Sequence, residues 1–116
     1  MQNKLQKYIG FAFAAKKLVF GTDLVLASVR RRQAKLVLLA ADASDRTAKQ
    51  VLDKSSFYGV DALPVDCTME ELARAVGKCA PAAAVAVTDK EFAAAIRQSL
   101  EKSNPPAAAD DIISKN

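Results

Sequence analysis

Near the middle of the chain, Lys35-Leu36-Val37-Leu38-Leu39-Ala40-Ala41 is one lysine followed by six apolar residues without a break. A strand with one wet face alternates polar and apolar side chains. An unbroken apolar run of this length reads as a strand covered on both faces. Helices on both sides of a sheet provide that cover, and the alternation of helices with strands along the chain points to a layered α/β fold.

The flanking sequence supplies those helices. From Asn3 to about Ala15, Leu5, Tyr8, Ile9, Ala12 and Phe13 recur at helical spacing. Leu18-Val19-Phe20 is a short strand ended by Gly21. Thr22 or Asp23 is the expected cap of the next helix, which should bury Leu24 or Val25 with Ala27 and Val29. Asp42 to Asp45 reads as a turn ending in a helix cap. The helix that follows carries Ala48, Val51 and Leu52 and stops at Gly59. Val60 to Val65 is a third strand, and Pro64 places it at an edge or a strand end.

Thr68 with Glu71 has the T-x-x-E spacing of a capping box, opening a helix that runs to Gly77. After a loop from Lys78 to Pro81, Ala83 to Val87 is a fourth strand. Thr88 with Glu91 is expected to form a second capping box, opening a helix with Phe92, Ala93, Ile96 and Leu100 on one face. The expected architecture is a three-layer α/β/α sandwich around a mixed sheet of about four strands. Residues 1–102 read as one domain. Residues 103–116, with Asn-Pro-Pro, three alanines and two aspartates, read as a disordered tail in which Ile112-Ile113 is the one apolar pair.

Charge is unevenly spread. Met1 to Lys35 holds eight basic residues against the single acidic Asp23, a net of +7; Leu36 to Asn116 holds nine basic against twelve acidic, a net of −3. Such asymmetry favours a polyanion as partner. One arginine satisfies the dipole and last carbonyls at a helix end. Arg30, Arg31 and Arg32, with Lys35 behind them and Lys16-Lys17 before the first strand, exceed that need. The orphan amides of Gly21-Thr22-Asp23 are a second candidate for a phosphate or a base edge. An ordinary strand-to-helix turn accounts for the same residues.

Other chemistries find little support. The chain has no histidine, which removes Ser-His and Cys-His nucleophiles and the commonest general base. Cys67 and Cys79 match no metal-site spacing and read as two reduced thiols. Neither G-x-x-x-x-G-K nor G-x-G-x-x-G occurs. Glu70-Glu71 lie in a helix's first turn, and Asp42 follows a strand where aspartate commonly orders a turn. No metal, cofactor or catalytic residue is expected, and the chain does not read as an enzyme. No apolar run reaches the roughly 18 residues of a membrane span. Ile9 to Ala15 is too short for a signal peptide and is closed by Lys16-Lys17, so the expected compartment is the cytoplasm.

Taken in order, G-T-D (Gly21 to Asp23), R-R-R-Q-A-K-L-V-L-L-A-A-D-A-S (Arg30 to Ser44), D-K-S-S-F-Y-G-V (Asp53 to Val60), A-V-G-K (Ala75 to Lys78) and A-V-T-D-K-E-F-A (Ala86 to Ala93) resemble the large-subunit ribosomal proteins that bind kink-turn RNA, and most closely their bacterial YlxQ-type branch. The resemblance covers about Asn3 to Leu100. It implies an α/β/α sandwich and an RNA site at the start of the second helix and in the loop before the last strand. The family signature is G-x-N-E-x-x-K. Gly21 matches its glycine, but Asp23 stands at the asparagine, Leu24 at the glutamate and Ala27 at the lysine. Arg31 falls where the family often keeps an arginine. The second loop corresponds to Lys78, Cys79, Ala80, Pro81 and Ala82; Pro81 matches, whereas Ala80 stands where an arginine often precedes that proline.

The expected RNA contacts are therefore Gly21, Thr22, Asp23, Leu24, Ala27, Arg30, Arg31, Arg32 and Lys78 to Ala82. The expected partner is ribosomal or other structured RNA, with the ribosome or translation and transcription factors as context. Leu24 cannot accept a hydrogen bond from guanine and Ala27 drops a cation, so altered specificity is expected, each lost base-edge contact costing about 1–3 kcal/mol of discrimination. The same three departures support an alternative, a protein-interaction module that kept the fold.

Overall fold

The computed structural model describes residues 3–103. The elements are α1 (Asn3–Ala14), β1 (Leu18–Phe20), α2 (Thr22–Arg30), β2 (Leu36–Leu39), α3 (Asp45–Phe57), β3 (Ala62–Pro64), α4 (Met69–Ala75), β4 (Ala84–Val87) and α5 (Lys90–Ser103). The strands form one mixed sheet in the order β1-β4-β2-β3. β4 runs antiparallel to β1 and to β2, and β2 runs parallel to β3. The expected tail lies outside the described residues apart from Ser103, which closes α5. No helix among the described residues is long and apolar enough to cross a membrane.

Alternation along the two central strands builds the three layers. Leu36, Leu38, Val85 and Val87 point to one face, where they meet Leu5, Ile9 and Ala12 of α1, Leu72 of α4, and Ala93 and Ile96 of α5. Val37, Leu39, Ala84 and Ala86 point to the other, where they meet Val25, Leu26 and Val29 of α2 and Val51 of α3. All four residues of β2 and of β4 are buried, as an unbroken apolar run requires. β4 presents valines to the three-helix face and only alanine methyls to the α2 side. Each fully buried leucine or isoleucine contributes about 1.5–3 kcal/mol over an exposed one. Gly10 of α1 has a packing reason: a Cβ there would lie 2.8 Å from the Ala75 carbonyl oxygen of α4.

The helix starts are mostly side-chain capped. Ser44 Oγ accepts from the Thr47 amide and caps α3. The Thr68 capping box is complete: Glu71 N donates to Thr68 Oγ1 (3.1 Å) and Thr68 N to Glu71 Oε1 (2.9 Å). The second expected box is displaced by one residue. Thr88 N donates to the Lys17 carbonyl (2.8 Å), which ties it to the strand layer. Asp89 caps α5 instead, its Oδ2 accepting from Phe92 N at 3.0 Å. Asp42 orders more than its own turn, because its Oδ1 accepts from Met69 N at 2.8 Å, 27 residues on, and so fastens the β2–α3 turn to the start of α4.

Helices α1 to α4 share one ending. The residue after the C-cap is left-handed, and two backbone N–H groups return to the last turn. For α3 and α4 that residue is Gly59 or Gly77. For α1 and α2 it is Lys16 (φ 64°) or Arg32 (φ 62°). Lys17 N donates to Ala12 O (2.7 Å) and Gln33 N to Ser28 O (2.9 Å), completing the motif in both. At α3 the same motif takes Val60 N to Ser55 O, so β3 begins at Ala62 rather than at the expected Val60.

Candidate nucleic-acid interface

The pairing of β1 with β4 sets Phe20 opposite Val85, so the turn after β1 meets the loop before β4. Gly21 N donates to the Ala84 carbonyl at 3.1 Å, and Ala40 N donates to the neighbouring Ala83 carbonyl at 2.8 Å. The two segments expected to share one site, Gly21 to Leu24 and Lys78 to Ala82, therefore adjoin at one end of the sheet.

Gly21, not Thr22 or Asp23, is the N-cap of α2. Its φ of 107° is strained for any L side chain, whereas a Cβ would meet nothing within 4 Å; the glycine serves conformation, not space. Its carbonyl accepts from Val25 N at 2.9 Å and opens the helix. No side chain caps α2, in contrast to α3, α4 and α5. Its first-turn amides thus present their hydrogens at the sheet end. Asp23 and Leu24 are exposed beside them, and Ala27 is half-buried one turn on. Leu24 is 58% exposed, and Val25 takes the core position that either might have filled.

The loop is anchored at both ends. Gly77 closes α4, with Lys78 N donating to Ala73 O at 2.9 Å. The Lys78 ammonium lies 5.6 Å from the centroid of the Phe13 ring and 5.9 Å from that of Phe20. Phe20 immediately precedes Gly21, so this cation is held beside the helix start. Cys79, Ala80 and Pro81 are exposed, and Ala82 is buried where the chain enters β4.

Arg30, Arg31 and Arg32 lie elsewhere. Arg31 is the C-cap of α2, about 15 Å along the helix from Gly21 at 1.5 Å per residue. Lys17 O accepts from Thr88 N, and Lys35 N donates to Val87 O (2.7 Å), so both lysines flank the far end of β4. The expected single RNA face thus divides into two sheet ends: a helix start with Lys78 as its nearby cation, and a cationic end with Lys16, Lys17, Arg30, Arg31, Arg32 and Lys35. The Arg32 guanidinium carbon lies 5.4 Å from the Tyr58 ring centroid. Nothing local in the sequence signals that contact, because the partners are 26 positions apart on separate helices. Among the described residues no group of three His, Cys, Asp or Glu side chains could hold a metal.

Comparison with known proteins agrees with this architecture. The model of the ribosomal protein L7Ae/L30e/S12e/Gadd45 family matches residues 3–97. The RNA-binding protein YlxQ of Bacillus subtilis is 47% identical over 85 residues, covering 73% of this chain and 83% of that protein. The RNA-binding protein YlxQ of Enterococcus faecium is 35% identical over 100 residues, covering 86% and 94%. A solved protein of unknown function from Bacillus halodurans superposes with a TM-score of 0.78 at 30% identity, over 84% of this chain and 97% of that one. The Giardia lamblia 15.5kD RNA binding protein shares the fold, with a TM-score of 0.68 at 20% identity over 85% and 83%. With its sandwich, its glycine-opened α2 and its match across nearly all the described residues, the chain belongs to the ribosomal protein L7Ae/L30e/S12e/Gadd45 family, in its YlxQ-type branch.

Proposed function

We propose that this protein is a small RNA-binding protein that takes a structured RNA at the start of α2 and the adjoining loop, with Arg30 to Arg32 meeting phosphates further along. The observation that carries the reading is the uncapped start of α2 held against the Lys78–Ala82 loop by the Gly21–Ala84 hydrogen bond. Both YlxQ relatives are named RNA-binding proteins, which supports the same reading.

The side chains at this start favour a base edge over a phosphate. Asp23 adds a negative charge beside the first-turn amides, which repels a phosphate but accepts hydrogen bonds from guanine N–H groups. Leu24 offers apolar contact and no acceptor. The preferred RNA is thus kink-turn-like, with specificity altered from the family signature. Ribosomal RNA and the RNA of transcription or translation complexes are the natural sources.

A second reading has its own observation. Leu24 at 58% exposure is an apolar anchor suited to a protein surface, which favours a protein-interaction module that kept the fold. Binding to a kink-turn hairpin and to a duplex of equal length without sheared G·A pairs separates the two. Titrated by fluorescence anisotropy at several salt concentrations, the hairpin should bind more tightly. With about four phosphate contacts, log K against log salt should slope near −3 to −4. Absence of binding to either RNA at low salt would discard the RNA reading in favour of the protein one.

A further inference from the structure

We propose that the cationic end of the sheet is a second RNA surface, one that takes a single-stranded segment by stacking a base on Phe57 between phosphates held by the flanking cations. The proposal rests on the RNA-binding reading above, in which Arg32 already meets phosphate, and adds to it Phe57 and a single-stranded ligand that the helix-start site does not use.

Phe57, the last residue of α3, is 80% exposed, which no core role explains. Its ring meets that of Tyr58 edge-to-face, with centroids 5.0 Å apart and planes at 80°. Tyr58 in turn lies under the Arg32 guanidinium, so Arg32, Tyr58 and Phe57 form a continuous row from α2 to α3. Phe57 lines a shallow groove together with Gln50, Asp53 and Lys54. An exposed ring beside fixed cations is the composition of a single-strand platform, since every base has a face to stack and every nucleotide a phosphate to neutralise.

The cations are built in. Arg32 occupies a left-handed position that glycine would fill without strain and is exposed, and Lys54 lines the groove beside Phe57. The neighbouring carboxylates are engaged: Asp61 pairs with Arg97 at 2.8 Å, Asp89 caps α5, and Asp53 pairs with Lys49 at 3.6 Å. A duplex would meet these charges but would offer no free base face to Phe57. An unpaired strand offers both, which is why single-stranded RNA is the occupant that fits.

The test uses the full chain and a kink-turn hairpin, plain or carrying a five-nucleotide single-stranded extension at either end with one 2-aminopurine. Wild type should bind one extended hairpin at least about fivefold more tightly than the plain one, and quench the 2-aminopurine. Phe57→Ala should abolish the advantage and the quench while leaving plain-hairpin affinity unchanged; Phe57→Trp should keep both. Phe57 is exposed, so these variants should fold as wild type does. An extension that adds nothing, or a Phe57→Ala loss equal on all RNAs, would overturn this proposal and leave the helix-start reading standing. Binding of the free extension strand without hairpin binding would support this surface and discard the other. Absence of binding to every RNA, or displacement of the strand by polyglutamate with no dependence on Phe57, would overturn it and assign the face to an acidic protein.

Discussion

Replacing Lys16 or Arg32 by glycine should separate what these residues do for the fold from what they do for a ligand. Each closes a helix from a left-handed backbone, at φ 64° and 62°. An L residue there costs about 1–2 kcal/mol. Glycine relieves that cost, but its freer unfolded chain takes back about 0.4–1 kcal/mol. Lys16→Gly should therefore stabilise the protein by about 0.5–1 kcal/mol, raising Tm by about 2–6 °C for a domain of this size. Arg32→Gly gains the same relief but loses the contact with Tyr58 at 5.4 Å. An exposed cation–π pair contributes about 0.5–1 kcal/mol, so the net change should be near zero. Urea denaturation followed by circular dichroism measures both, as midpoint shifts at unchanged m. Each variant should also bind RNA more weakly, with a salt slope reduced by about one. A Lys16→Gly protein that is destabilised would refute the strain argument. One that is stabilised but binds RNA undiminished would refute a binding role for the cation.

Restoring the family signature with Asp23→Asn, Leu24→Glu and Ala27→Lys should raise kink-turn affinity tenfold or more over wild type at one salt concentration, and raise discrimination against a plain duplex; equal gains on both RNAs would mean that only charge was added. Gly10→Ala should destabilise the protein by about 1–3 kcal/mol despite alanine's better helix propensity, because the new Cβ meets the Ala75 carbonyl at 2.8 Å; a stabilised variant would show that α1 and α4 separate freely. The exposed Cys79 should react with a thiol reagent in the native protein, while the buried Cys67 should react only on unfolding. Burial chiefly, then the charges of Glu71 and Asp66, hold the Cys67 thiol above its usual range against a Gln6 hydrogen bond that lowers it. The folded state thus keeps its proton longer than the unfolded chain. Its contribution to stability is complete below the ordinary thiol pKa and declines as pH climbs through the raised one, so Cys67→Ala should flatten the alkaline loss of stability.

Local signals in the sequence were legible wherever neighbours in the chain decide the outcome. The apolar run after Lys35 read as a doubly covered strand, and β2 is buried at every residue. Thr68 and Glu71 satisfy each other across three residues, which spacing alone discloses. The Thr88–Glu91 pair had the same spacing, but Thr88's amide is claimed by Lys17, a partner 71 positions away, and Asp89 takes the cap. Leu24 and Val25 were equivalent by composition; only the docking of α2 on the sheet leaves the first in solvent. The adjacency of the Gly21 and Lys78 segments followed from resemblance, and the β1–β4 register is its physical cause. The separation of Arg31 from Gly21 is a matter of helix length and was there to be counted. The row from Arg32 to Phe57 needed two helices side by side.

The alanines that β4 turns toward α2 have a consequence for how the proposed site could diversify. Ala84 and Ala86 are fully buried, and the Ala84 carbonyl holds Gly21. The gap between helix and strand, and with it the width of the mouth between helix start and loop, is therefore set by two methyl groups buried from the surface. Lengthening either side chain would lift one wall of that mouth while leaving the exposed residues of the proposed site unchanged. Under the proposed reading, selectivity would be adjustable from behind, by shimming the helix at the core rather than by rewriting the surface.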